Sequence, residues 1–185
     1  MRTRQEDRAI AEYQKIVELK PNNATAYVFI GMIEDGRKNY DAAAENYRQA
    51  LQQDQNAAIA ANNLAWLYAD HGKGNLDEAV RLAQGAVQKN PNIAGFADTL
   101  GWVYFKKGLF AAAAEQFEKA VRLDDAGSRA SNKTPSATYH YHYGLALAAK
   151  GDKASAKREV ELALRIGDKG TFAEADEARR SLATL

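Results

Sequence analysis

The sequence contains no cysteine, only three prolines and no long apolar run. Without cysteine the chain can form no disulfide and can use no thiolate as a nucleophile, although this absence fits reducing and oxidising compartments equally well. No stretch approaches the roughly 18 apolar residues of a membrane-spanning helix. The N-terminal residues MRTRQEDRAI also lack the apolar segment of a secretory signal. We therefore expect a soluble chain that does not insert directly into a membrane.

The sequence also has no excess of either charge, because 25 basic residues are balanced by 24 acidic ones. The formal net charge is +1. Such a balance supplies no overall field that would attract a nucleic-acid backbone or an anionic membrane surface. The composition therefore predicts no nucleic-acid partner.

Alanine is abundant and runs of β-branched residues are few. Alanine loses no side-chain entropy when it enters a helix, so this composition favours helix over strand. The 185 residues, of which 46% are apolar, are enough for one domain with a substantial core. We predict an all-α fold in a single domain that spans residues 1–185.

An internal repeat runs along the whole chain. An alanine followed by apolar residues four and seven positions later recurs five times, and the leading alanines are Ala9, Ala43, Ala79, Ala113 and Ala156. A second pattern, an apolar residue followed by Gly or Ala, precedes the last four copies at Ile30, Leu64, Leu100 and Tyr143. Glycines then occur where one helix has to stop before the next begins. Each unit is therefore predicted to be two short amphipathic helices joined by a turn.

This pattern resembles the tetratricopeptide repeat family, whose unit has small residues at fixed positions, an aromatic residue between them and a proline near its end. The resemblance implies a right-handed α-solenoid of antiparallel helix pairs. Four full repeats are expected, with an N-terminal half-repeat and a C-terminal capping helix. The predicted bounds are 1–23 for the half-repeat, 24–57, 58–93, 94–127 and 137–170 for the repeats, and 171–185 for the cap.

Two segments depart from a regular array. The polar residues AGSRASNKTPS enlarge one connection, and we expect residues 126–136 to form an exposed loop between repeats. The capping helix is expected to open with Thr171 and Glu174 in capping-box spacing. The chain begins on the second helix of a repeat, so we expect it to be part of a longer array.

Helical angles of about 100° per residue separate the packed face of each first helix from the opposite face. With Leu100 at zero, Gly101 and Tyr104 fall on one arc and Trp102 falls on the other. In stacked tetratricopeptide repeats the second arc lines the concave groove, so the resemblance predicts a partner-binding surface there. Its residues are Val28, Phe29, Met32, Asn62, Asn63, Trp66, Asp70, Asp98, Thr99, Trp102, Phe105, Tyr141, His142 and Leu145.

Trp66 and Trp102 occupy the same place in consecutive repeats, and Met32 and Leu145 extend the row. One interpretation is a binding patch, since the repeat does not need these side chains for its own packing. The other is that the rings pack against each other or against a neighbouring helix. Asn62 and Asn63 are either donors and acceptors for a peptide backbone or ordinary solvated residues.

Motifs for catalysis, cofactors or metals are missing from the sequence. His140 and His142 are two residues apart, about 200° around a helix, and cannot ligate one metal together. We predict no catalytic residue, no metal ligand and no cofactor.

The leading functional hypothesis is a non-catalytic protein-interaction scaffold that binds a peptide or helix of a partner in the groove. The alternative is a self-assembling module, hence a homo-oligomer, that uses the groove or the open N-terminal face. Catalysis would require a further domain outside these residues.

The last 90 or so residues, with DTLGWVYFKKG and YHYHYGLALAAKGDK among them, also resemble tetratricopeptide lipoproteins of bacterial envelopes. Those proteins are of the PEP-CTERM and exopolysaccharide-export type. That resemblance implies an envelope complex and a periplasmic location, and a cytoplasmic array is the alternative.

Overall fold

Ten α-helices and no strand make up the regular structure of residues 2–167 and 172–185, the part of the chain that the computed structural model describes. The all-α prediction is therefore confirmed. The helices are α1 (Arg2–Leu19), α2 (Ala24–Gly36), α3 (Tyr40–Gln53), α4 (Ala58–His71), α5 (Leu76–Lys89), α6 (Ala94–Lys106), α7 (Phe110–Ser131), α8 (Ala137–Lys150), α9 (Lys153–Gly167) and α10 (Ala175–Leu182).

The helices fall into two compact units, Met1–Lys89 and Asn90–Leu185, called unit 1 and unit 2 below. In unit 1 the helix pairs α2/α3 and α4/α5 pack together, and α1 packs on α2. In unit 2 the pairs are α6/α7 and α8/α9, with α10 on α9. The helix pairs agree with the predicted repeats, whereas the expectation of one domain over 1–185 stays a prediction.

Close contact within each pair explains the small residue that recurs in every first helix. A side chain at Gly31 would start 2.6 Å from the Tyr47 ring, and one at Gly101 would start 2.7 Å from Phe117. Both aromatic rings are fully buried. The alternation of a small residue with a large one therefore lets the two helices of a repeat approach closely, as packing at native density requires.

Glycine stops the first helix of most repeats because the backbone there takes a left-handed conformation. Gly72, Gly108 and Gly151 have φ values of 63°, 76° and 96°. In the first full repeat the left-handed residue is Lys38, with φ 64°, rather than Gly36, which is the last residue of α2. The prediction that glycine reverses the chain thus holds at three of these turns.

The predicted loop at 126–136 is wrong for its first six residues, because α7 continues as far as Ser131. No residue between 126 and 131 forces a helix to stop, and Ser128 is buried against the protein. The helix ends where Asn132 adopts φ 51°, and Pro135 follows. The chain then returns to α8 with the Ser136 amide donating a hydrogen bond of 2.6 Å to the Asp124 carboxylate.

The C-terminal segment covers the last repeat, and α10 starts later than the predicted cap of 171–185. Phe172 and Ala178 join the apolar cluster formed by Tyr141, Val160 and Ala163. Glu174 stands at the N-cap of α10. Thr171, the other half of the predicted capping box, lies outside the described residues.

Candidate functional site

The predicted groove residues lie on the first helices of the repeats, three on α2, four on α4, four on α6 and three on α8. Only Phe29 and Met32 are exposed. Seven others are half-buried. The remaining five, Val28, Asp98, Thr99, Tyr141 and His142, are buried. The expectation that all of these side chains line an open surface needs correction at those five positions.

On α2, Phe29 and Met32 lie three residues apart and therefore share one side of the helix. They keep 41% and 45% of their surface exposed, which is high for large apolar side chains. The Phe29 ring stacks on Tyr13 of α1, with 5.0 Å between centroids. Val28 is buried because it lies one turn before Gly31, at the edge of the side that packs on α3.

On α4 the two asparagines form a short chain of hydrogen bonds. Asn63 Nδ2 donates to the Tyr47 hydroxyl at 3.1 Å, and Asn62 Nδ2 donates to Asn63 Oδ1 at 3.1 Å. Burial raises the pKa of Tyr47 to about 12, so its hydroxyl stays neutral. Asn62 Oδ1 is buried and accepts no hydrogen bond from the described residues. Trp66 and Asp70, further along α4, are half-buried.

In unit 2 the corresponding residues of α6 and α8 contact each other, since these two helices pack directly. His142 Nδ1 and Asp98 Oδ1 are 2.8 Å apart, and the two residues are 3% and 6% exposed. Thr99, beside Asp98, is buried as well. A buried polar pair of this kind is satisfied internally and offers nothing to a partner.

Trp102 forms an aromatic stack within unit 2. Its ring lies 4.5 Å from His142 and 5.5 Å from Phe105, and Lys106 Nζ lies 4.9 Å from the Trp102 ring centroid. This is the alternative left open by the sequence, in which the rings pack against each other. Trp102 and Phe105 are therefore half-buried by contacts inside unit 2.

Tyr141 and Leu145 belong to the cluster that the C-terminal segment covers. The Phe172 ring meets Tyr141 edge-on at 5.8 Å, and the Tyr141 hydroxyl lies 3.5 Å from Ser181 Oγ of α10. Tyr141 is buried for this reason rather than facing an open groove.

His140, one residue before Tyr141, links α8 to its two neighbours. Its Nδ1 lies 2.8 Å from Glu159 Oε2 of α9, and its Nε2 lies 3.7 Å from Asp125 Oδ1 of α7. Burial opposes the charged imidazole, but the hydrogen bond and charge of Glu159, with Asp125, outweigh burial and raise the pKa of His140. Neither this link nor the pairing of Asp98 with His142 could be found from one sequence, because each joins residues that are far apart in the chain.

Residues 2–167 and 172–185 lack two features that other classes of protein need. This part of the chain has no group of three or more His, Asp or Glu side chains placed to hold a metal ion. It also has no helix of the length and hydropathy that crossing a bilayer requires.

The family model described as tetratricopeptide repeat matches residues 30–94 and 99–171. Among solved structures, MamA from Desulfovibrio magneticus RS-1 is 17% identical with a TM-score of 0.73, over 92% of this chain and 90% of that one. YrrB, described as a TPR protein with an unusual peptide-binding site, is 22% identical with a TM-score of 0.70, over 96% and 85%. PilF of Pseudomonas aeruginosa is 21% identical with a TM-score of 0.69, over 99% and 82%. No curated protein matches the sequence. These likenesses establish a shared fold.

Proposed function

Because the chain belongs to the tetratricopeptide repeat family, we propose that it is a protein-interaction scaffold that binds a peptide or helix of a partner on α2 and α4 of unit 1. Solenoids of stacked helix pairs present extended surfaces for such binding. We call Phe29, Met32, Asn62, Asn63 and Trp66 the unit 1 face. The observation that carries the proposal is the exposure of Phe29 and Met32 on one side of α2.

The unit 1 face combines exposed apolar area on α2 with half-buried polar side chains on α4. Covering large exposed apolar side chains removes them from water, which is favourable when a partner binds. Tyr47 connects the two helices, because its ring packs on Gly31 and its hydroxyl accepts from Asn63. YrrB, which has the same fold, is described as having a peptide-binding site, and this supports a peptide as the kind of partner.

The proposal is tested by selecting binders from a phage library of random dodecapeptides and measuring their affinity by fluorescence anisotropy. Phe29→Ser and Met32→Ser should each weaken binding by roughly tenfold or more, because these are the exposed apolar residues of the face. Leu109→Ser is the matched control, because Leu109 is about as exposed as Met32 but stands at the N-cap of α7 in unit 2, outside the unit 1 face. Equal losses for Met32→Ser and Leu109→Ser would mean that the peptides recognise exposed apolar residues without a defined site.

A second candidate function is self-association through α1, where Ile16 and Leu19 are exposed and share one side of the helix. Light scattering over a dilution series of wild type and Leu19→Ser would test it, and a monomer at all concentrations would exclude it.

A role in an envelope complex rests only on the resemblance of the last repeats and stays a prediction. The absence of catalysis also stays a prediction.

A further inference from the structure

Unit 1 contains a groove on its second helices, away from the unit 1 face. It lies between α3 and α5, with a volume of about 700 Å³, and Leu51, Arg81 and Leu82 are among its lining residues. A smaller recess of about 120 Å³ shares these three residues and extends to Gly85 and Lys89. Because the two share lining residues, we call them together the α3/α5 groove, and the larger one is in the size range of ligand sites.

Gly85 is a glycine in the middle of α5 that helix packing does not explain. A side chain at Gly31, Gly101 or Gly144 would collide with the partner helix of its own repeat. At Gly85 an added Cβ would meet nothing within 4 Å. Glycine is a poor helix former, so its presence beside an open groove is typical of a position where another chain passes close to the backbone.

The groove has an apolar floor and a basic rim. The apolar surface of the groove comes from Leu51, Leu82 and the part of Leu64 that lines it. The charged lining residues are Arg48, Arg81 and Lys89 on the basic side and Glu78 on the acidic side. Arg48 hydrogen-bonds Glu45 and the Tyr68 hydroxyl, and Lys89 bonds the Gln55 carbonyl and Asn56, which holds both cations in place at the rim. Glu45 compensates the charge of Arg48, so the net charge of the lining is the excess of Arg81 and Lys89 over Glu78, which favours an acidic partner.

We propose that the α3/α5 groove is a second protein-binding site, which takes an acidic peptide segment with leucine-like side chains. The apolar side chains occupy the space above Leu51 and Leu82. The peptide backbone passes close to Gly85, and its carboxylates face Arg81 and Lys89. This site is independent of the unit 1 face, because it uses the second helices of the repeats rather than the first.

The test uses the full chain and the same library of random dodecapeptides, with Gly85→Leu as the blocking variant. The added side chain fills the groove, whereas the fold has room for it, so the melting temperature should stay the same or rise. Gly127→Leu is the matched control, because Gly127 also lies inside a helix, has open space around it and is not a lining residue of the groove. Arg81→Glu tests the charge of the rim.

We expect peptides rich in Asp, Glu and Leu that lose roughly tenfold or more in affinity on Gly85→Leu and on Arg81→Glu, but not on Gly127→Leu or Met32→Ser. The inference fails if no selected peptide separates Gly85→Leu from Gly127→Leu, or if the peptides that do so are basic. Peptides sensitive to Met32→Ser alone would support the unit 1 face and overturn the second site.

Discussion

The same arc of the first helices is open in unit 1 and closed in unit 2. On α2, Phe29 and Met32 remain exposed, and on α4 Asn62 and Trp66 are half-buried. On α6 and α8, Asp98 and His142 bond each other and Trp102 stacks over His142. Equivalent positions in a repeat are therefore partly exposed in one unit and used for internal packing in the other.

Side-chain chemistry at matched positions accounts for much of this difference. Asn62 and Asp98 occupy the same place in successive repeats, but Asp98 meets an imidazole from the next first helix whereas Asn62 bonds its own neighbour, Asn63. In unit 2 the segment from Phe172 onward also covers Tyr141. A repeat register thus predicts which side a residue faces, but the neighbouring helix decides whether that side is open.

The largest effect is expected from Asp98→Ala, which removes the carboxylate that bonds the buried His142 ring. Removing one member of a buried pair costs roughly 3–5 kcal/mol of unfolding free energy. Asn62→Ala, the matched change in unit 1, should cost about 1 kcal/mol or less, because Asn62 is half-buried and its oxygen is unused. Urea denaturation of both variants measures the difference, and equal costs would refute the contrast between the units.

Enlarging the recurring glycine should affect both units alike. Gly31→Leu and Gly101→Leu place a side chain against Tyr47 and Phe117, at starting distances of 2.6 and 2.7 Å. Overpacking of this kind typically costs about 1–3 kcal/mol or more. Thermal melts followed by circular dichroism should show a clear loss for each variant, and an unchanged melting temperature for either would contradict the packing described for that repeat.

Trp102→Ala should destabilise the protein by about 1–3 kcal/mol, because the ring loses two aromatic contacts of roughly 0.5–1.5 kcal/mol each. Met32→Ala in unit 1 should change stability by about 0.5 kcal/mol or less, as is usual for an exposed side chain. Unfolding free energies from urea titrations compare the two. If Trp102→Ala is as stable as wild type, the ring is not needed for packing, and Trp102 is again a candidate partner-binding residue.

The smallest effect is the pH dependence that His140 contributes in unit 2. The pKa of His140 is raised in the folded protein by Glu159 and Asp125, so its pairing stabilises the fold fully below the ordinary histidine value of 6.5. That stabilisation is lost as the pH rises through the raised pKa, and the partial exposure of both carboxylates keeps it small. Unfolding free energies measured between about pH 5 and 9 should fall less for His140→Gln than for wild type, and parallel curves would exclude this pairing.

Part of the candidate site could be predicted from helical periodicity. The 100° rotation per residue placed Phe29, Met32 and Asn62 on the side of their helices opposite the packed one, and the structure leaves Phe29 and Met32 exposed there. The same rule could not indicate that Asp98 and Thr99 are buried, because that depends on how α6 and α8 approach each other. The groove beside Gly85 was also missed, since a lone glycine in a helix carries no sign of what surrounds it.

The sequence by itself determined the repeat, the helical class and the places of the small and the aromatic residues within each unit, as at Gly101 and Phe117. These are local or nearest-neighbour properties, set by helix propensity, by periodicity and by the close contact inside one helix pair. Only the tertiary structure decided that α7 continues to Ser131, that His142 pairs with Asp98 and that the α3/α5 groove stays open. Those features depend on contacts between different repeats and on the space left between them, which no local pattern encodes.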